Sequence, residues 1–526
     1  MSFEKVVQPA DAVPVRLSKT GASTGKKIGA KSVSQHRSVC GPTPPLPALG
    51  IVRSQDVLKD TTGPLMATYS QTISFLESFI NYELHRGRMK YGTRALHLRR
   101  FEEFLRRLGS PHRAVPFVHI AGTKGKGSTA ALLHSIASEA GWRAGLYTSP
   151  HLESYCERFR IGRSLVSKRR LTRAVQSLRH RLEQSGVRLE PGFRTTFELL
   201  TTVAFEMFRD DRAEVGIIET GLGGRLDATN VILPEVSVIT TIGLDHTHLL
   251  GTTHAAIARE KAGIIKAGRP VVVARQTPGA ADEVLGVIRE VCRQRGSPLY
   301  YAPRWVQIVS RTVRPDGQAV RYRIRRSGNE IAVRLPLLGR HQAENLRAAL
   351  TVIEVLKSQG WAIPDAAIRA GVAKVNWPGR IEYVRGRPPL ILDGSHCPLS
   401  VGALMETLHE IFPASQPVFL FSLLDDKPVG AIAAPAARAF PGAAIVVFPA
   451  PTVRGLPTDA LVEPLQTLGL AVEEATDPAR AARKAVSLAG PDSLLVAFGS
   501  LYSVEPVRKA YQRLTRTSPP HYREPR

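Results

Sequence analysis

Apolar positions along the chain fall into two alternating rhythms. Short runs at Val115–Ile120, Ala144–Tyr147, Val215–Glu219, Val236–Ile242 and Val271–Ala274 have the length and branched composition of buried strands. Between them, apolar residues recur at helical spacing over Thr129–Ala140, Leu171–Leu182, Thr195–Phe208, Thr253–Ile265 and Ala281–Val291. This alternation predicts an α/β fold, with a parallel sheet covered by helices on both faces. Residues 299–335 change to short β-like runs around a Pro315-Asp316-Gly317 turn, and Leu335–Leu356 reads as a loop entering a long helix. A boundary is predicted near Trp377-Pro378-Gly379. A second, smaller α/β alternation follows: strands Leu390–Leu392, Val418–Leu423, Ala444–Phe448 and Leu494–Phe498, with helices at 398–411, 428–439 and 478–489.

Residues 1–65 break the pattern. They carry Pro, Ser, Gly and Thr clusters without a sustained apolar period, and 6 of the 17 lysines. They are expected to be a disordered or non-native N-terminal extension. They match a transit peptide weakly, because Glu4 and Asp11 come early and arginines are few. Met66 is an alternative start, since a helical pattern begins right after it with Ile73, Phe75, Leu76 and Phe79.

A chain of 526 residues exceeds what one core supports, so at least two domains are expected. No apolar stretch approaches a membrane span, and the cysteines (Cys40, Cys156, Cys292, Cys397) are far apart, so a soluble cytoplasmic protein without membrane partners is expected. The net charge of +26 fits either a polyanionic partner or an arginine-rich proteome. The basic residues are spread along the chain with no aromatic-interleaved stripe, so nucleic acid is not expected as a partner and anionic small substrates are.

Residues 119–129 read His-Ile-Ala-Gly-Thr-Lys-Gly-Lys-Gly-Ser-Thr and close the first strand-like run. A strand, a glycine loop with an embedded lysine and then a helix is the layout of a phosphate-binding loop. Glycines let backbone N–H groups turn toward anionic oxygens, the helix adds the positive end of its dipole, and Lys126 adds a full charge. Lys126 is followed by Gly127 before Ser128, so the usual Walker order is absent, and a plain glycine turn before a helix remains an alternative.

Further islands stand at or soon after the carboxyl ends of predicted strands, where ligands of open parallel sheets sit. They are Tyr147–Leu152, which contains Ser149; Glu219–Asn230, which reads Glu-Thr-Gly-Leu-Gly-Gly-Arg-Leu-Asp-Ala-Thr-Asn; and Leu244–Lys266, which contains His246 and Lys261. Hydroxyl, carboxylate and imidazole there can cradle a divalent metal on phosphates. Each residue also has a plainer use. Ser149 can end a turn before Pro150, Glu219 can pair with Arg225, His246 can cap a helix, and Lys261 can be a solvated partner of Glu260.

Taken together with Gly339-Arg-His-Gln-Ala-Glu-Asn345, Trp377-Pro-Gly-Arg-Ile-Glu382 and Asp393-Gly-Ser-His-Cys-Pro398, these islands resemble the folylpolyglutamate synthase and dihydrofolate synthase family of the Mur ligase superfamily. The likeness runs from about Tyr69 to the end of the C-terminal domain. It implies a Mur-ligase-like P-loop ATPase domain with a parallel-rich sheet over 66–378, and a smaller Rossmann-like α/β glutamate-ligase domain over 379–526. It implies an ATP-dependent ligase that adds L-glutamate to a reduced folate, to dihydropteroate, or to both, acting as a monomer. By the same resemblance Thr123, Lys124, Gly125, Lys126, Gly127 and Ser128 would hold ATP phosphates. Ser149, Glu219 and His246 would coordinate Mg2+, and Lys261 would be carbamylated, with K+ as a further cation. Asn345 would lie at the nucleotide base. Arg380 and Asp393 would reach ATP from the second domain, and His396 would lie near the incoming glutamate. Thr195, Thr196, Phe197 and Glu198, with Leu226, Asp227 and Ala228, would border the pterin. Lys126, Lys261 and His396 would be the catalytic residues.

The sequence departs from the commonest family pattern at Lys124, where many members carry Asn and the family tolerates both, and at Ser395 and Cys397, where Ala and Asn are frequent. The last two bear on glutamate recognition. Three other readings compete. A Mur-type peptidoglycan ligase would need a domain of about 100 residues before the loop, and far fewer separate Met66 from it. A nucleic-acid-dependent NTPase should show a basic strip. A non-catalytic paralogue should lack phosphate or metal residues that are all present here.

Overall fold

The computed structural model describes residues 68–81, 94–184, 194–490 and 493–515; the N-terminal segment 1–65 lies outside the described residues. Strands are β1 (Phe117–Ala121), β2 (Ala144–Tyr147), β3 (Phe159–Ile161), β4 (Ser164–Leu165), β5 (Val215–Glu219), β6 (Val236–Ile239), β7 (Val271–Val273) and β8 (Leu299–Tyr301). They form an eight-stranded sheet in the order β4-β3-β2-β5-β1-β6-β7-β8. β2, β5, β1, β6, β7 and β8 run parallel, and β3 and β4 add an antiparallel edge. That edge is too short and polar to show a strand period.

β1 lies inside the sheet and is buried on both faces, so its alternate residues feed different cores. Val118 and Ile120 join one core, with helices Lys126–Glu139, Arg340–Ser358 and Asp365–Lys374. Phe117 joins the other, with helices Lys168–Gln184 and Thr196–Asp210. Gly371 lets helix Asp365–Lys374 cross helix Lys126–Glu139 closely, since a Cβ there would lie 2.5 Å from Ile136 Cα.

The region after β8 forms an antiparallel sheet of β9 (Val306–Arg314), β10 (Gly317–Ile324) and β11 (Glu330–Leu335), with Pro315 and Asp316 turning between β9 and β10. Beyond Trp377 come β12 (Glu382–Val384), β13 (Leu390–Leu392), β14 (Pro417–Phe421), β15 (Ala444–Val447), β16 (Ala471–Glu474) and β17 (Leu494–Phe498). These make a six-stranded sheet, β12-β13-β17-β14-β15-β16, parallel except for β12. The first two sheets with their helices form the larger lobe and the third sheet the smaller. Both lobes belong to one compact unit. Among the described residues no helix is long and apolar enough to cross a membrane. Cys156, Cys292 and Cys397 are buried and not in disulfides.

Candidate active site

Parallel pairing of β1 with β5 and β6 brings the carboxyl ends of these strands side by side, and the chemistry collects there. β1 leads into Gly122–Gly125 and then the helix Lys126–Glu139, whose N-cap is Gly125. Gly125 has φ +89, and a Cβ would sit 2.3 Å from Asn345 Oδ1. Gly122 is as crowded: a Cβ would meet Thr240 Oγ1 at 1.8 Å. The backbone N–H groups of Thr123 and Lys124 donate to the Thr241 carbonyl, which brackets the loop against the end of β6. The chain leaves β6 at Ile239, earlier than the predicted Ile242, because Thr241 serves this bracket.

Lys126 Nζ lies 3.7 Å from Glu219 Oε1, and the Ser149 N–H donates to Glu219 Oε2 at 3.3 Å. Burial raises the Glu219 pKa, opposed by the charges of Lys126 and of Arg380 from the smaller lobe. Arg225 pairs with Glu260 rather than Glu219, which excludes the plainer use of the Glu219 carboxylate. Lys261 is buried and donates to the Gly122 carbonyl at 2.8 Å. Burial and the Lys126 charge pull its pKa down to about 7. It is therefore not a solvated partner of Glu260.

Ser149 and Glu219 are brought together, and His246 stands on the loop after β6. It is exposed, at φ +50, before the short helix Thr247–Leu250, with Nε2 3.9 Å from Asp245 Oδ1. No three His, Cys, Asp or Glu side chains among the described residues form a metal-holding group. A buried carboxylate beside a serine still fits magnesium, which keeps several waters and takes phosphate oxygens.

Lys124 turns toward the smaller lobe. Its ammonium donates to Asp245 Oδ2 at 3.0 Å and meets His396 Nε2 at 3.2 Å. Burial disfavours the Lys124 charge, but the Asp245 carboxylate outweighs it and raises the Lys124 pKa. The Lys124 charge, with burial, pushes His396 down to about 3. The neutral His396 therefore accepts at Nε2 and donates from Nδ1 to the Gly394 carbonyl at 2.8 Å. Asp393 accepts from the Ile381 and Ser395 N–H groups at 2.8 and 2.9 Å. It thereby holds Ile381 at φ +48, a strained value for a branched residue, and sets the backbone that carries Arg380. The guanidinium of Arg380 lies over Gly394, where a Cβ would sit 2.8 Å from Nη1.

Asn345 Nδ2 donates to Gln342 Oε1 at 3.0 Å, which leaves Oδ1 against the glycine loop. Gly127 and Ser128 lie in the first turn of the loop helix, with Gly127 beneath the Trp377 ring. On the other side, Thr195 and Glu198 form a capping box, and Thr196 donates to the Leu76 carbonyl. Asp227 caps the turn Ala228–Val231 and accepts from the Leu222 N–H. These polar groups are committed to local structure, while Phe197 packs against Gly221 with its ring 5.9 Å from that of Tyr147. Leu226 and Ala228, both half-buried, flank Asp227.

The sequence reading missed Asp245, Trp377, Lys427 and Ser500 as site residues. Asp245 and Trp377 stood inside quoted motifs, and Gly499-Ser500 follows the last apolar run, which is a readable signal. The Ser395 and Ser500 hydroxyls are buried without a hydrogen-bond partner near His396, and the Gly499 N–H donates to the Ser395 carbonyl. Lys427 has no local pattern to mark it.

The family model for the Mur ligase middle domain matches residues 120–353, and that for the Mur ligase glutamate ligase domain matches 379–501. The chain is 38% identical over 344 residues to the dihydrofolate synthase/folylpolyglutamate synthase of Bacillus subtilis, covering 65% of this chain and 78% of that protein. It is 33% identical over 443 residues to the folylpolyglutamate synthase of Lacticaseibacillus casei, covering 84% and 98%. Among solved structures, Mycobacterium tuberculosis folylpolyglutamate synthase complexed with ADP and AMPPCP superposes with a TM-score of 0.70 at 32% identity, covering 79% of this chain and 95% of that one. The chain belongs to the folylpolyglutamate and dihydrofolate synthase family of Mur-type ligases.

Proposed function

We propose that this protein is an ATP-dependent ligase that joins L-glutamate to a folate acceptor through an acyl phosphate. One observation carries the reading: Lys126 of the larger lobe lies 3.7 Å from the buried carboxylate of Glu219 at the mouth of the glycine loop, and Arg380 of the smaller lobe lines a cleft with Thr148 and Pro150, which flank Ser149. Two cations from opposite lobes beside a phosphate loop suit transfer of a phosphoryl group in a closed cleft.

A carboxylate resists attack by an amine because oxide is a poor leaving group. In the first step an acceptor carboxylate oxygen attacks the γ-phosphorus of ATP and ADP departs. In the second the glutamate amine attacks the acyl carbon, loses a proton, and inorganic phosphate leaves as the amide forms. Lys126 and the loop backbone hold the phosphates and offset charge as it moves. The neutral His396 orients the amine, and the Ser395 and Ser500 hydroxyls stand ready as donors to a carboxylate of the incoming amino acid. Asn345 faces the nucleotide, and Phe197 with Leu226 and Ala228 lines the acceptor side. Bound magnesium would be held by Glu219, Ser149 and His246, and would neutralise phosphate charge.

Carbamylation of Lys261 belongs to the same reading. A neutral amine is needed to attack CO2, and a pKa of about 7 supplies it near neutrality. The resulting carbamate would exchange repulsion from Lys126 for attraction. Potassium dependence is part of this reading too, tested by replacement with sodium. The protein is read as a cytoplasmic monomer acting on small molecules, in keeping with its unbridged buried cysteines.

The deciding experiment is ADP release with glutamate, comparing dihydropteroate with tetrahydrofolate. ADP release that requires one acceptor or both assigns the activity; none with either overturns the proposal.

A further inference from the structure

Charges alternate in an unbroken path from the back of the smaller lobe to the phosphate loop. Arg454 Nη2 lies 2.9 Å from Asp426 Oδ1, and Lys427 Nζ lies 3.6 Å from Asp426 Oδ2. Lys427 Nζ then reaches Asp245 Oδ1 at 3.4 Å, and Asp245 Oδ2 accepts from Lys124 at 3.0 Å. The Lys427 loop follows β14 and is pinned from behind by a backbone bridge between Leu424 and Gly455. Asp245 follows β6 in the larger lobe, and its side chain is 9% exposed. One carboxylate thus holds an ammonium group from each lobe.

We propose that Asp245 and Lys427 are positioning residues that fix the angle between the lobes for the amide-forming half-reaction; this rests on the ligase reading above. A mostly buried ion pair adds little net stability, because desolvation offsets the attraction, but it specifies geometry. Removing Asp245 leaves Lys124 and Lys427 facing each other across the cleft with like charges, which drives the lobes apart. Removing Lys427 takes away the smaller lobe's hold. The phosphate loop, Lys126 and Glu219 lie in one lobe, so ATP binding is largely built before closure. His396, Ser395 and Ser500 lie in the other, so the amine meets the acyl phosphate only when the angle is right. An asparagine in place of Lys124 is too short to span to Asp245 and His396 in this way, so this arm of the latch is a property of chains with lysine here.

The test compares the full-length protein with Lys427→Met, Lys427→Arg, Asp245→Asn, the Asp245→Asn/Lys427→Met double variant and the remote Arg454→Ala. Steady-state constants are measured for each substrate, with small-angle scattering of the substrate-free proteins. Because Asp245 adjoins His246, the Lys427 variants carry the decision. Lys427→Met is expected to raise KM for glutamate roughly tenfold or more while KM for ATP stays within about twofold, and to increase the radius of gyration. Lys427→Arg retains both properties, Arg454→Ala shifts both in the same direction but less, and the double variant is no worse than the worse single because the repulsion is gone. An unchanged glutamate KM and radius of gyration in Lys427→Met, or equal losses for ATP and glutamate, overturns the proposal. A wild-type protein that releases no ADP with any folate sinks the ligase reading instead, and the scattering comparison then still decides the latch.

Discussion

Lys261 places its side-chain nitrogen 2.8 Å from the Gly122 carbonyl, so a buried lysine on one helix supports the first turn of the glycine loop from beneath. Burial first, and Lys126 second, bring its pKa from 10.5 to about 7. Between those values the unfolded chain keeps a proton that the folded chain has released. Stability therefore rises with pH across that window and is lost as pH falls toward its lower end. In urea unfolding, Lys261→Met is expected to gain most over wild type at about pH 6 and least at about pH 10. A gap that is constant with pH would show that the folded lysine titrates normally. In bicarbonate at about pH 8, the intact mass of wild type but not of the variant should carry one added CO2.

Gly125→Ala places a methyl group 2.3 Å from Asn345 Oδ1 at a backbone φ of +89. The left-handed conformation alone costs an alanine about 1–2 kcal/mol. The clash must be relieved by moving Asn345 or opening the loop. Loss of ATP affinity by at least about tenfold is expected in calorimetric titration, with a lowered melting temperature. Wild-type affinity would mean that the loop does not close around phosphates in this shape.

Lys126→Ala removes the loop cation but little packing, since Glu219 is its ion-pair partner. Turnover should fall by roughly a thousandfold or more, while far-ultraviolet dichroism and melting stay close to wild type. Near wild-type ligase rates would refute the role given to this lysine.

Glu219→Gln keeps the shape and removes the charge of a buried carboxylate whose pKa burial already raises. The magnesium concentration for half-maximal activity should rise on the order of tenfold or more. An unaltered magnesium dependence would exclude Glu219 as a holder of the metal.

Cys397→Asn installs an asparagine at the N-cap of helix Pro398–Ile411, where the backbone is extended at φ −148. Asparagine is among the best N-cap residues, worth typically about 1 kcal/mol over a non-capping side chain. A higher melting temperature and an altered KM for glutamate are expected, with KM for ATP unchanged. A lower melting temperature would indicate that the Cys397 Sγ contact with Ser400 Oγ, at 3.2 Å, is the better cap.

Much of the α/β alternation was legible because it is local. The runs around Ile120, Ile218 and Val272 are buried strands. Their branched residues and flanking glycines sit within a few positions of one another. The antiparallel edge Phe159–Leu165 and the strand Ala471–Glu474 were not legible, since they are short, half-exposed and held by neighbours rather than by their own pattern. Thr195, Glu198 and Asp227 show the converse. Their motif positions were readable, but their use as caps emerged only once their partners were in place.

The sequence alone determined the glycine loop, the lysine within it and the strand-then-helix frame, because φ preference, hydrophobic period and helix capping act over a few residues. Only tertiary structure decided that Glu219 faces Lys126 instead of Arg225, that Lys261 is buried under Gly122, and that Asp245 joins Lys124 to Lys427. The latter partners lie 121 and 182 positions from Asp245. Such contacts depend on strand order and lobe docking, through which burial and opposing charge bring together side chains that no local spacing relates.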